Sequence, residues 1–154
     1  MAQSNTPPPS ISPPNDSDGL DAAARVVGDR WTLRLIGALL DADRTFGELA
    51  SDLTGIAPTI LTARLRTLQG LGLLTATPYQ RRPPRMRYSL TAPGRRLAAV
   101  IATLAEWGAA REGTPGRPRH RSCGTPVVTR QWCPTCDEPV DHGDQATGEE
   151  LVWC

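Results

Sequence analysis

The spacing of apolar residues changes twice along this 154-residue chain. It is helical from Leu20 to Gly72, alternates over residues 85–90, and is helical again after Thr91. A helix buries one face at a period near 3.6 residues, whereas a half-buried strand does so at a period of 2. The pattern therefore predicts four helices, a β-hairpin and one last long helix ending near residues 107–113.

Capping signals indicate where these helices begin. Asp29 is expected to cap the second helix, and Thr45 with Glu48 forms a capping box before a short third helix over residues 46–53. Pro58 suits the first position of the fourth helix, and Thr91 suits the cap of the last. The fourth helix is expected to bury one face made of Ile60, Leu61, Leu65 and Leu68.

The hairpin is predicted to have one apolar and one basic face. Residues 73–79 form its first strand, residues 80–84 its turn, and residues 85–90 its second strand. The expected apolar face contains Met86, Tyr88 and Leu90, and the other face contains Arg85, Arg87 and Ser89.

Positive charge is concentrated in the centre of the chain, although the net charge is only +1. No acidic residue occurs between Asp52 and Glu106. A solvated surface normally mixes both signs, so this one-sided stretch indicates a polyanionic partner. The interval contains Arg64, Arg66, Arg81, Arg82, Arg85, Arg87, Arg95 and Arg96.

Two short helices across a tight turn, followed by a hairpin, predict a winged helix-turn-helix: a mainly α fold with a β-hairpin wing (α+β). In this arrangement the second helix of the pair enters the major groove of DNA, and its N-terminal residues meet base edges. The expected DNA-contacting residues are Thr45, Pro58, Thr59, Thr62, Arg64, Arg66, Arg81, Arg82, Arg85 and Arg87.

Residues 20–112 resemble the HxlR-type helix-turn-helix regulators of bacteria. The resemblance is carried by VVGDRWTLRLIGALL (26–40), RTFGELASDLTGIAPTILTARLRTLQGLGLL (44–74), TPYQRRPPRMRYSLTAPGR (77–95) and LAEWG (104–108). It implies a homodimer, joined through the first and last helices, that binds a palindromic operator. The expected dimer residues are Leu20, Ala24, Leu97, Ile101 and Leu104.

The chain departs from the family pattern in two places. The family usually has Ser before Pro at the start of the recognition helix, whereas this chain has Ala57 before Pro58, so the cap is weaker. Some members sense oxidants through a Cys near the first helix, but no Cys precedes Cys123 here. Trp31 and Trp107 could line a ligand pocket, but their helical spacing favours core packing for both.

All four Cys lie in the last 32 residues, behind a Pro/Gly-rich linker at residues 113–119. His120 and Cys123 stand three residues apart, as do Cys133 and Cys136. Two such pairs can supply four ligands to one structural Zn²⁺, and the segment resembles a zinc ribbon. Gly124 and Asp137, which follow the pairs, tolerate the positive φ of a metal knuckle, and residues 127–130 are expected to form a strand.

Other interpretations of this tail stay open. Cys154 or His142 could replace His120 as a zinc ligand, or Cys133 and Cys136 could form a redox dithiol. The sequence divides into a disordered tail (1–19), a winged helix-turn-helix domain (20–112), the linker, and a zinc-ribbon-like module (120–154).

The function that this pattern favours is a sequence-specific, cytoplasmic transcriptional regulator, a repressor rather than an activator. Two alternatives are a protein- or RNA-binding zinc ribbon on a helical dimerisation platform, and a thiol redox-sensing regulator. No phosphate-binding glycine loop or nucleophile elbow occurs in the sequence, so an enzyme is not expected.

Overall fold

A computed structural model describes residues 17–114 and 118–140 of the chain. The described part has mixed α+β structure, and none of its helices is long and apolar enough to cross a membrane. In chain order its elements are α1 (Ser17–Val27), α2 (Arg30–Asp41), β1 (Arg44–Thr45), α3 (Phe46–Asp52), α4 (Pro58–Gly70), β2 (Leu74–Arg81), β3 (Pro84–Leu90), α5 (Ala92–Arg95), α6 (Ala98–Glu112), β4 (Gln131–Cys133) and β5 (Glu138–Val140).

The predicted helix caps are confirmed. The Asp29 carboxylate accepts from the amides of Trp31 and Thr32 at the start of α2. Thr45 and Glu48 form a reciprocal capping box on α3, with the Thr45 amide 2.6 Å from Glu48 Oε2. Each bond satisfies an amide that the first helical turn leaves without an intrahelical acceptor.

Strands β1, β3 and β2 form one antiparallel sheet in that order. The wing is the β2–β3 hairpin, and its two faces differ as the alternation predicts: Leu90 is buried, whereas Arg85 and Arg87 are exposed. Strand β1 was not predicted, because two residues are too few to show a period. It pairs Arg44 with Tyr88 and Thr45 with Arg87, which ties the helix-turn-helix to the wing.

One hydrophobic core joins the helices to the base of the wing. Thr32 is a buried polar side chain beside it, and its hydroxyl donates to Asp29. The buried apolar residues are Leu35, Ile36, Leu39, Leu49, Leu53, Ile56, Leu61, Leu65, Leu68, Leu74 and Leu90. The winged helix-turn-helix predicted from the sequence is therefore confirmed.

The last helix differs from the prediction because it is divided into α5 and α6. At Gly94 an added Cβ would lie 2.1 Å from the carbonyl oxygen of Leu73, so α5 packs very closely on the start of β2. The Leu97 amide then bonds to the Gly94 carbonyl in a tight turn, and α6 packs on α2 instead. The predicted single helix is interrupted because α5 and α6 pack on different elements.

Two further expectations need correction. Ile60 is 40% exposed and does not share the buried face of α4. Residues 127–130 form no strand; β4 and β5 lie on either side of the turn at residues 133–137. This turn closes a hairpin, which places the strands around the Cys pair rather than between the two pairs.

Two predicted domain boundaries differ from the structure, and other predictions fall outside the described residues. Residues 17–19 belong to α1 rather than to the N-terminal tail, and Arg119 pairs with Pro126 rather than lying in a linker. The predicted disorder of residues 1–16 and the alternative zinc ligands His142 and Cys154 lie outside the described residues.

Candidate nucleic-acid interface

The N-terminus of α4 is open to solvent. Its cap residue, Ala57, makes no side-chain hydrogen bond to the helix, and Pro58 occupies the first turn. The first-turn amides of a helix have no intrahelical acceptor, so the amides of Thr59 and Ile60 can donate to an external group. A phosphate oxygen suits this position, because the positive end of the helix dipole also favours an anion.

Thr59 and Arg66 are exposed on α4, as the sequence predicts, and Thr62 is half-buried. The Thr62 hydroxyl donates to the Pro58 carbonyl at 2.8 Å. This bond uses the hydroxyl proton and leaves oxygen lone pairs that can accept a hydrogen bond from a base amino group.

Arg64 is placed differently from its neighbours on α4. Its Nε atom is buried and lies 3.3 Å from Oδ1 of Asp29, although the N–H is not aligned for a good hydrogen bond. The Arg64 side chain as a whole is 38% exposed. Arg64 therefore joins α4 to the cap of α2, and its contact with a base stays a prediction.

The environment of Asp29 favours its charged form. Burial alone would raise the pKa of this carboxyl, but hydrogen bonds from the hydroxyl and amide of Thr32 and the charge of Arg64 outweigh it. The pKa of Asp29 therefore lies below its ordinary value, and the carboxylate remains available to Arg64 at neutral pH.

The basic wing comprises Arg81, Arg82, Arg85 and Arg87, and all four side chains are exposed. In the hairpin register Arg85 stands opposite Gln80, and Arg87 opposite Thr77. Because Arg85 and Arg87 are two residues apart on β3, they lie on the same face of the sheet. The sequence predicted this face correctly.

Arg87 has contacts that the sequence did not reveal. The ladder shifts between Pro78 and Gln80, at Tyr79, and the Arg87 guanidinium lies 5.6 Å from the centre of the Tyr79 ring. Arg87 also stands opposite Thr45 in β1. The Thr45 amide, with smaller effects from Arg87 and Arg44, lowers the pKa of Glu48. Arg87 therefore places one end of the basic wing beside the start of α3.

The charge of this surface is not neutralised within the described residues. The ion pairs found there join Arg44 to Asp52 and Arg64 to Asp29. Neither pair includes Arg66 or a residue of the basic wing. These arginines retain their donors for an external acceptor, and guanidinium groups suit phosphate and guanine because they donate two parallel hydrogen bonds.

A second surface is apolar. Within the described chain α6 has no buried residue, although its sequence, AAVIATLAEWGAARE, is largely apolar. Leu104 is 46% exposed and Leu20, on α1, is 74% exposed; Ala24 is exposed as well. Two of the expected dimer residues, Leu97 and Ile101, instead pack partly against the core of their own chain.

Trp31 and Trp107 differ in burial. Trp31 is half-buried against the core, as expected, and the Arg30 guanidinium lies 4.2 Å from its ring centre. Trp107 was expected in the core but is 64% exposed, because no part of the described chain covers that side of α6. Val100, which was not predicted to be a surface residue, is also 48% exposed.

The predicted zinc ligands form two separate pairs. His120 Nδ1 lies 3.3 Å from Cys123 Sγ, and no disulfide joins the three cysteines that the structure describes. A hydrogen bond with Thr125 lowers the pKa of the Cys123 thiol, and amide donors from Cys136 and Thr135 lower that of Cys133. Within residues 17–114 and 118–140 no three His, Cys, Asp or Glu side chains form a group that could hold a metal ion.

Comparison with known proteins agrees with this architecture. Residues 26–114 match the family described as HxlR-like helix-turn-helix. An HTH-type transcriptional regulator of Mycobacterium tuberculosis (strain CDC 1551 / Oshkosh) is 38% identical over 129 residues, covering 81% of each chain. An alignment that covers 81% of this chain is longer than residues 1–114, so it includes part of the C-terminal segment.

Two solved structures are similar in fold. One is the redox regulator HypR in its reduced form, with a TM-score of 0.58 and 29% identity, covering 61% of this chain and 93% of HypR. The other is a transcriptional regulator assigned to the MarR family, from Enterococcus faecalis V583, with a TM-score of 0.57 and 28% identity, covering 68% and 96%.

Proposed function

Because the chain belongs to the HxlR-like helix-turn-helix family, we propose that it is a transcriptional repressor that binds a palindromic DNA operator as a homodimer. Its relatives are HTH-type transcriptional regulators, and its winged helix-turn-helix is an architecture that binds duplex DNA. The proposed activity is binding alone, without catalysis.

The observation that carries the proposal is the basic wing beside the open N-terminus of α4. The wing has four exposed arginines, and no carboxylate lies within the sequence between Asp52 and Glu106. Such a surface is costly in isolation, because like charges repel each other, and it is favourable against a polyanion, because binding releases counterions.

The two parts of this surface have different roles in the proposal. The basic wing contacts phosphates, which gives affinity and register without sequence preference. Helix α4 enters the major groove, where Thr59, Thr62 and Arg66 meet base edges. Arg64, held against Asp29, sets the angle between α4 and α2 in the bound protein.

The apolar surface supports the homodimer. Helices α1 and α6 both pack on α2, and together they expose large apolar side chains, among them Leu20, Leu104 and Trp107. Burying such residues against a second copy removes apolar area from water, and a central Trp is a frequent interface hot spot. A two-fold dimer would present two α4 helices to an inverted repeat.

Repression is proposed because the described part of the chain has one DNA-binding domain and no evident activation surface. A protein of this kind acts by occupying its site.

The test is to incubate the purified chain with random duplex DNA and to sequence the retained fragments. The expected result is an inverted repeat whose half-sites are about 34 Å, or one helical turn, apart. Enrichment of a single non-repeated site would contradict the binding of a homodimer to a palindrome. The absence of any enriched sequence would contradict sequence-specific DNA binding.

A further inference from the structure

Two turns in the C-terminal segment have the same backbone geometry. In the first, residues 120–124, the Gly124 amide donates to the His120 carbonyl at 2.7 Å. In the second, residues 133–137, the Asp137 amide donates to the Cys133 carbonyl at 2.9 Å. The last residue of each turn has a positive φ, 70° at Gly124 and 57° at Asp137. We call these the two ligand turns, because each has a potential ligand at its first and fourth positions.

Each ligand turn lies at the tip of a small antiparallel hairpin. The first hairpin is closed by the pairing of Arg119 with Pro126 and by the bond from the Val127 amide to the Pro118 carbonyl, 2.7 Å long. The second is β4–β5, in which Cys133 stands opposite Glu138. Two hairpins, each with a ligand pair at its tip, can supply the four ligands of one tetrahedral metal.

The side chains of the first turn already have a suitable separation. His120 Nδ1 and Cys123 Sγ are 3.3 Å apart. Two ligands of one tetrahedral zinc, with Zn–N near 2.0 Å and Zn–S near 2.3 Å, are separated by about 3.5 Å. The Thr125 hydroxyl lies 3.2 Å from Cys123 Sγ, where it can donate to a metal-bound thiolate.

This segment has very little apolar packing. Among residues 118–140 none is buried, and only Cys133 and Val140 are half-buried. Trp132 is 56% exposed and Val128 is 52% exposed. So small a segment cannot offset its loss of conformational entropy by burial, and short domains of this kind are stabilised by a metal. Within residues 118–140 the two hairpins have no core of their own, and a bound metal would supply stability that burial there does not.

We propose that His120, Cys123, Cys133 and Cys136 bind one structural Zn²⁺ per chain. The two ligand pairs stand apart in the structure, so metal binding has to bring the two ligand turns together on the same ion. Residues 127–130 join the hairpins without helix or strand and allow this approach. Binding releases three protons from the three thiols, while neutral His120 coordinates through Nδ1. The coordination sphere is then full, so the site is structural and not catalytic.

The test uses the full chain, prepared under reducing conditions with excess Zn²⁺ and then dialysed. Elemental analysis is expected to give one zinc per chain. Replacement with Co²⁺ should give tetrahedral d–d bands and a thiolate charge-transfer absorption of three-sulfur intensity. Zinc-free reduced protein, or a Cys133–Cys136 disulfide formed in preference to metal binding, would overturn the proposal.

Variants identify the ligands. Cys133→Ser with Cys136→Ser, and Cys123→Ser alone, should each lose the zinc, and His120→Ala should weaken its binding at least tenfold. Cys154→Ser is the matched control and should retain one zinc; loss of zinc from it would overturn the assignment of His120. The far-UV circular dichroism spectrum of each variant shows whether its helix content is unchanged. None of these measurements depends on DNA binding, so the zinc proposal and the proposed function can fail independently.

Discussion

The carboxylate of Asp29 joins two helices that lie far apart in the sequence. It accepts hydrogen bonds from the first-turn amides of α2, and its Oδ1 atom lies 3.3 Å from Arg64 Nε in α4. The cap that starts one helix therefore also orients the helix that enters the DNA groove in the proposed complex.

Two substitutions at Asp29 separate the cap from the ion pair. Asp29→Ala removes both and is expected to lower the free energy of unfolding by about 1–2 kcal/mol. Asp29→Asn keeps an accepting oxygen for the cap amides, but it loses the charge and replaces the oxygen that accepts from the Thr32 hydroxyl with an amino group. It should cost about 1 kcal/mol, because the pair with Arg64 is partly exposed and the Thr32 hydroxyl can turn to accept from the amino group. Urea denaturation measures both values. Equal losses for the two variants would show that the pair with Arg64, and not the cap, accounts for the effect.

Acid should weaken the protein through the same carboxylate. The pKa of Asp29 is lowered in the folded state, where hydrogen bonds from Thr32 outweigh the opposing effect of burial. A group with a depressed folded pKa contributes stability above its unfolded pKa and loses it as the pH falls through the folded pKa. The free energy of unfolding should therefore decrease below about pH 4. Asp29→Asn should show a smaller decrease between pH 6 and pH 3, and identical profiles would exclude Asp29 as a source.

The basic wing should act on DNA of any sequence. Arg85→Ala with Arg87→Ala is expected to weaken binding to specific and random duplexes alike. The slope of log K against log salt should fall by about 1 for each phosphate that the wing no longer neutralises. Fluorescence anisotropy over a salt series measures it. Arg34→Ala is the control, since Arg34 is exposed on α2 and lies outside the basic wing. An unchanged slope for the double variant would remove the wing from the interface.

Thr62 should read a base. Thr62→Val keeps the shape of the side chain and removes its hydroxyl, so preference at one operator position should fall by about 1 kcal/mol while binding to random DNA is unchanged. Thr67→Val is a matched control on the same helix, because the Thr67 hydroxyl makes the same type of bond, to the Ala63 carbonyl at 3.0 Å. Competition between operator variants measures both. If the two variants behave alike, Thr62 does not contact a base.

The apolar surface of α6 should hold the dimer together. Leu104→Glu is expected to convert a dimer at micromolar concentration into a monomer, because a two-fold axis brings the unpaired charge into the interface twice. Light scattering measures the mass. Tyr79→Glu is the control, because Tyr79 is a similarly exposed aromatic residue on the wing. A monomeric native chain, with and without DNA, would contradict the homodimer.

The order of helices and the wing could be predicted because their signals are local. Each cap joins residues two or three positions apart, as at Asp29 and Thr45, and the alternation on β3 spans only a few residues. The division between α5 and α6 could not be predicted in this way. It follows from the close approach of Gly94 to the Leu73 carbonyl, which sequence periodicity does not record.

The sequence by itself determined where the positive charge is concentrated, because the arginines and the absence of carboxylates between Asp52 and Glu106 are properties of composition. Only the tertiary structure decided which of these arginines are exposed and which are paired. Packing of α4 on α2 turns Arg64 toward Asp29, and Trp107 on α6 stays exposed because no element among the described residues covers it. The physical reason is one of range: capping and periodicity act within a few residues, whereas the direction a side chain faces depends on elements that are distant in the chain.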